Sequence, residues 1–184
     1  MTKYKSKFNN IGLGTRVITG AQIQRYYITD TPSQGNVIYI NDQNKPGLSS
    51  KREQEVSNPR IVLQRITGVD SKVRIISTLI NGHMYCANST NYIANDNSIN
   101  IKYLLGVLNS SLVNFFIKQT STNTNITAKV LNSIPIIFPS TKMQEAIIRI
   151  VDYVLIIKSL PSDIIIDQYV DNDVMARQFE NVID

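Results

Sequence analysis

An α+β fold is the architecture this sequence predicts: a mixed or antiparallel β-sheet core, followed by two main helices and a helical tail. Three observations carry it. Between residues 15 and 95, short β-branched and aromatic runs alternate with turn residues. Beyond residue 100 the apolar spacing becomes helical, in YLLGVLNSSLVNFFIK (103–118) and again in KMQEAIIRIVDYVLIIK (142–158). Strands grouped before helices, rather than alternating with them, define this class.

Taken in order, residues 1–14 are polar and read as a flexible N-terminal segment. TRVITGAQIQRYYI (15–28) suggests a turn near Gly20 and an extended piece after it. TPSQG is a turn and NVIYI (36–40) a short strand. NDQNKPGLSSKREQE (41–55) is a loop or a short helix. Three strand candidates follow: RIVLQRIT (60–67), KVRIISTLI (72–80) and HMYCANSTNYIA (83–94). Asn81-Gly82, between the last two, predicts a type I′ hairpin turn.

In the 103–118 helix, a wheel drawn at about 100° per residue places Leu104, Leu105, Leu108, Leu112, Phe115 and Phe116 on one arc. Ser110, Ser111, Asn114 and Lys118 fall opposite and are expected to face solvent. QTSTNTNITAK (119–129) reads as an exposed loop, and VLNSIPIIFP as an extended connector confined by its prolines. Ser140 or Thr141 can cap the next helix, whose apolar arc is Ile147, Ile150, Val151, Val154 and Leu155. Residues 15–139 are thus expected to form one domain, and 140–184 a C-terminal helical segment.

With 184 residues and 42% apolar content, the chain can build a real core. The net charge of +5 is unevenly spread. Residues 1–130 carry 15 Lys/Arg against 6 Asp/Glu, and residues 131–184 carry 4 against 8. A basic front suits a polyanion, and an acidic tail suits solvent or a protein partner. The N-terminus lacks an apolar signal core and no stretch is apolar enough to span a bilayer, so the expected location is cytoplasmic, without a membrane partner. One histidine, His83, and one cysteine, Cys86, give no metal cluster and no disulfide. Phosphate-binding glycine loops and nucleophile elbows are absent from the sequence, Asn58-Pro59 is followed by Arg60, and no carboxylates are placed as an acid–base pair. We therefore expect no catalytic residue, metal or cofactor in this chain.

The order of several segments resembles the TaqI-like C-terminal specificity domain. ITGAQIQRYYI is similar to that family's Gly-x-x-Ile-x-Arg-Tyr segment, and PRIVLQRIT, VRIISTL and MYCANSTNYIA to its strand block. YLLGVLNSSLVNFFIK resembles its Leu-Leu-Gly-x-Leu-Asn-Ser helix, the most specific of these signals, and LNSIPIIFPSTKMQEAIIRIVDYVL its Ile-Pro-Ile segment and following helix. FENVID looks like the start of the tail found in large methyltransferase–restriction polypeptides. The co-linear order, over residues 15–184, carries the resemblance.

The resemblance implies a target-recognition module that holds double-stranded DNA for an adenine-N6 DNA methyltransferase or a fused restriction–modification enzyme, and is not catalytic by itself. S-adenosylmethionine and the Asn-Pro-Pro-aromatic site would belong to a methyltransferase domain or subunit outside this chain, and a nuclease could be fused to the same parent. Two alternatives stay open: a single recognition module of a type I specificity subunit, echoed by SIPIIFPSTKMQEAI, or a protein-docking module. For a DNA reader, Arg25, Lys45, Lys51, Arg52, Arg60, Arg65, Lys72 and Arg74 offer phosphate-binding cations. Gln64, Arg65, Asn88, Asn91, Asn123 and Asn125 offer groups that reach base edges. Arg60, Arg65 and Arg74 are expected to form a patch with Lys51 and Arg52, unless Arg65 or Arg74 pairs with Glu53, Glu55 or Asp70. The 119–129 loop is the next candidate.

Overall fold

The computed structural model describes residues 6–44, 47–160 and 172–183, and it is α+β. Its strands form three small sheets rather than one. The first joins β1 (Phe8–Asn9), β5 (Ile38–Ile40), β2 (Thr15–Ile18) and β8 (Tyr85–Cys86) in the order β1-β5-β2-β8, where β2 and β8 alone run parallel. The second is the hairpin of β3 (Ile23–Gln24) and β4 (Tyr27–Ile28). The third sets β6 (Arg60–Gln64) between β7 (Ser77–Ile80) and β9 (Thr90–Ala94), both antiparallel to it. β6 reads almost continuously apolar because both its faces are covered: Ile61, Val62 and Leu63 are all fully buried.

Helix α1 (Ser50–Ser57) precedes β6; α2 (Ile101–Asn109) and α3 (Ser111–Thr120) follow β9. Then come α4 (Ala128–Asn132), α5 (Thr141–Ser159) and α6 (Asn172–Ile183). The main core lies between the third sheet, α2, α3 and α5, and includes Ile61, Leu63, Ile75, Leu105, Leu108, Ile117 and Val151. Helix α2 approaches α5 closely at Gly106, where a Cβ would lie 3.0 Å from the methyls of both Ile147 and Val151. The anticipated helical tail is present as α6, while residues 161–171 of that segment lie outside the described residues, as do residues 1–5 of the N-terminal segment and Lys45. Phe8–Asn9 of that segment is ordered as an edge strand against β5.

Two expectations are corrected here. Gly82 does take a positive φ of +87°, as a tight turn needs, but Asn81 does not, and the chain passes from β7 in the third sheet to β8 in the first. The turn is a crossing between sheets, and β9, not the strand next in sequence, returns beside β6.

The second correction concerns the 103–118 segment, which is two helices. Ser110 has extended backbone, φ −65° and ψ 155°; its Oγ donates to Val107 O at 2.7 Å and accepts from Val113 N at 3.2 Å. One serine ends α2 and caps α3. The break resets the helical phase, so a single wheel fails across it. Leu112 and Phe115, expected inside, are 64% and 62% exposed. Ser110 and Asn114, expected outside, are buried, as is Asn109; Ser111 and Lys118 do face outward.

The buried amides bind backbone. Asn109 Oδ1 accepts from Ser77 N at 3.1 Å and Ser77 Oγ at 3.0 Å, and its Nδ2 donates to Ser77 O at 3.0 Å. Asn114 Oδ1 accepts from Arg74 N at 2.6 Å and Ile75 N at 2.8 Å, while its Nδ2 donates to Ser110 O at 2.9 Å. Removing the Asn114 acceptor strands two buried N–H groups. Asn114→Ala should therefore lower unfolding free energy by about 2–4 kcal/mol in urea titrations, whereas Phe115→Ser should change it by about 0.5 kcal/mol or less. The reverse ranking would restore the one-helix picture.

Candidate nucleic-acid interface

At the Gln64 end of β6 the chain continues as a ridge of two segments, 65–67 and 121–126. Arg65 O accepts from Ile126 N at 2.7 Å, and Thr67 N donates to Thr124 O at 3.0 Å. These bonds flank an antiparallel bridge between Ile66 and Asn125. Arg65 N donates to Ser89 O at 3.0 Å, so the loop before β9 joins the same end. Arg65, Asn88, Asn123 and Asn125 thereby come together from positions distant in sequence, along with exposed Thr122 and Thr124. Arg65 is exposed, and its Nη1 touches only a backbone carbonyl, Asn88 O at 3.3 Å.

The ridge is held from beneath by Arg74, which has no exposed surface. Its guanidinium donates to Ser121 O at 3.1 Å, Asn123 O at 2.5 Å and Thr67 Oγ1 at 3.4 Å. The expectation of Arg74 in an exposed cationic patch is corrected: it is buried, with its guanidinium on carbonyls of the loop it supports. Arg60 is likewise 1% exposed. It donates to Val56 O at the end of α1, to Asn58 O and Gly82 O, and to Met84 O. A cation at the carboxyl end of a helix suits the helix dipole. Neither Arg65 nor Arg74 pairs with Glu53, Glu55 or Asp70; backbone carbonyls take that role.

The remaining candidates separate in the same way. Arg25 forms an ion pair with Glu180 of α6 at 3.6 Å and donates to Asn109 O at 2.8 Å, so it ties the tail helix to the domain. Gln64 Nε2 donates to Ile23 O at 2.7 Å, and Asn91 Nδ2 to Ile126 O. These amides fix backbone rather than face outward. Lys51 and Arg52 are exposed on α1, toward the Arg60 end of β6. Helix α1 is braced there by Tyr92, whose hydroxyl donates to Glu55 Oε2 at 2.9 Å; burial first, and then this carboxylate, push the phenol's pKa up. The structure thus offers two exposed basic regions toward opposite ends of β6 in place of the single expected patch.

A cleft of about 790 Å³ lies elsewhere, between β4, β7 and α5, lined by Tyr27, Met84, Leu155 and Lys158. Its cation, Lys158, sits over the Tyr27 ring and 4.0 Å from Glu180, which suits packing rather than phosphate. Sequence reasoning missed Ile66, which stands on the ridge at 59% exposure. A lone apolar residue at a strand end carries no signal of its own in the sequence; the bridge to Asn125 is what sets it on the ridge.

If Arg74 is what anchors the ridge, Arg74→Leu should speed amide exchange at Thr67 and Ile126 by about 10–100-fold, the worth of charge-assisted bonds. The β6 amides of Ile61 and Leu63 should change less. Unaltered exchange at Thr67 and Ile126 would show that the loop holds itself.

Comparison with solved structures places this arrangement. The chain is similar to the Type IIL restriction-modification enzyme MmeI, solved in complex with DNA, with a TM-score of 0.59 and 13% identity. The match covers 99% of this chain and 28% of MmeI, so the chain spans under a third of that protein's length, and the likeness is one of fold. It is also similar to the HsdS subunit from Thermoanaerobacter tengcongensis, at a TM-score of 0.46, 17% identity, 97% of this chain and 39% of that one. Among curated proteins nothing matches. The profile of the TaqI-like C-terminal specificity domain matches residues 15–136, two thirds of the sequence, from the first residue of β2 through the buried amide staples and the ridge, and the chain belongs to that family.

Proposed function

We propose that this chain recognises a DNA target sequence on behalf of an adenine-N6 methyltransferase or restriction–modification enzyme, and that its ridge is the reading surface. The observation that carries this reading is the convergence of Arg65, Asn88, Asn123 and Asn125 on one rigid, outward-facing end of the third sheet, within a specificity-domain fold. A guanidinium and carboxamides are the groups that match base edges and phosphates. Lys72, exposed in the loop leaving the ridge, and Lys51 and Arg52 on α1 add sequence-independent attraction. The methyl donor S-adenosylmethionine and the chemistry of transfer belong to a partner methyltransferase unit, with this chain holding the duplex in register.

The outer surface of α5 and α6 favours a second, compatible role in joining that unit. Tyr153 and Ile156 on α5 and Val182 on α6 are each more than half exposed, although Tyr153 stacks on Phe179 between the two helices.

Gel shifts on random duplex at about 50 and 200 mM salt test the DNA reading. Binding through several phosphates should fall by orders of magnitude over that range. Arg65→Ala should lower the slope of log affinity against log salt by about one if Arg65 holds a phosphate. If it reads a base, it should instead cost about 1–3 kcal/mol at one position of the site. Absence of salt-dependent retention by the wild-type chain would favour the docking role alone.

A further inference from the structure

We propose that Ile66 and Asn125 form a two-residue reader of an A·T base pair, Ile66 taking the thymine methyl and Asn125 the adenine edge. The inference rests on the DNA-recognition reading above and assigns a specificity-determining pair within it.

The geometry begins with the bridge. Its two hydrogen bonds run from Ile126 N to Arg65 O and from Thr67 N to Thr124 O, one residue to either side of Ile66 and Asn125. That makes Ile66 and Asn125 a non-hydrogen-bonded antiparallel pair, the kind whose side chains share a face and stand closest together. Their neighbours along the strand point the other way. Thr67 accordingly turns inward, its hydroxyl donating to Arg74 O at 3.1 Å. Arg65, on the same side as Thr67, reaches Asn88 at the flank.

The pair is also rigid. Buried Arg74 holds the carbonyls of Ser121 and Asn123, Asn91 Nδ2 holds that of Ile126, and Asn123 Oδ1 accepts from Asn125 N at 2.9 Å. A reading group set on such a frame loses little further freedom on binding. Among the described residues the Asn125 carboxamide has no hydrogen-bond partner, whereas those of Gln64, Asn91, Asn109 and Asn114 are all engaged.

The chemistry selects one base pair. A carboxamide matches adenine, accepting from N6–H and donating to N7, and an aliphatic side chain matches the C5 methyl of thymine; both lie in the major groove. A single exposed isoleucine is ordinary by itself. Beside an unengaged amide on a backbone locked from below, it completes the apolar half of that pattern.

The test selects bound duplexes from a random-core pool with the wild-type chain, Ile66→Ala and Asn125→Ala. Folding of each variant is checked by circular dichroism. The wild type should enrich a site containing an A·T pair at which both variants relax. On the selected duplex, Ile66→Ala should bind about fourfold more weakly, the worth of a buried methyl group, and Asn125→Ala about tenfold. Replacing that thymine by deoxyuridine should weaken the wild type about fourfold and leave Ile66→Ala unchanged. If folded variants select and bind as the wild type does, or if both proteins respond alike to deoxyuridine, the pair is not the reader, although DNA recognition stands. If the wild-type chain retains no duplex, the DNA-recognition reading falls and takes this assignment with it.

Discussion

The carboxamide of Asn109 against the backbone of Ser77 is the contact on which the rest of this structure depends. Ser77 opens β7, and its carbonyl also accepts from Tyr26 N at 3.0 Å, at the turn of the β3–β4 hairpin. Asn109 ends α2, and its own carbonyl accepts from Arg25 of the same turn. A strand, a hairpin and a helix end therefore meet through one residue pair. Asn114 repeats the device one helix later, on Arg74 and Ile75. Each amide replaces ladder hydrogen bonds that a neighbouring strand would otherwise supply, and it does so in a dry setting where an unmet N–H is costly.

That arrangement explains why the helix must break at Ser110. A continuous helix would swing either Asn109 or Asn114 away from the sheet. The kink lets both face it and leaves Leu112 and Phe115 outside. The same logic governs charge. Arg60, Arg74 and Arg25 sit where loop carbonyls or Glu180 need a multi-pronged donor, and a planar guanidinium meets several at once. Within the basic front, a cation that holds the fold and a cation that can meet a partner differ in burial, not in residue type.

This is also where the sequence is legible and where it is not. The strand block, the α5 arc with Val151 and Val154 inside, and the family were readable because local periodicity and co-linear segments encode them. Non-local pairing was hidden: nothing local in 83–94 says that Tyr85–Cys86 joins β2 while Thr90–Ala94 joins β6. Asn81-Gly82 gave a correct turn and a wrong partner. Burial of arginine was equally invisible, since a charged residue in a polar stretch reads as surface until the carbonyls that solvate it are known. In the ridge, Arg65, Asn88, Asn123 and Asn125 were candidates by chemistry alone, and their grouping, with Ile66 beside them, needed the fold.

The way Arg74 supports the ridge has a consequence for how such a domain can diversify. Arg74 grips the main chain at Ser121 and Asn123, and the bonds joining 65–67 to 124–126 are likewise between main-chain atoms. Backbone carbonyls and amides are the same whatever side chain follows them. Substitutions at 66, 122, 124 or 125 thus leave the scaffold's connections untouched, and the cost of trying a new outward chemistry is decoupled from the cost of refolding. A lineage built on this plan could change its outward surface one position at a time, each intermediate remaining folded.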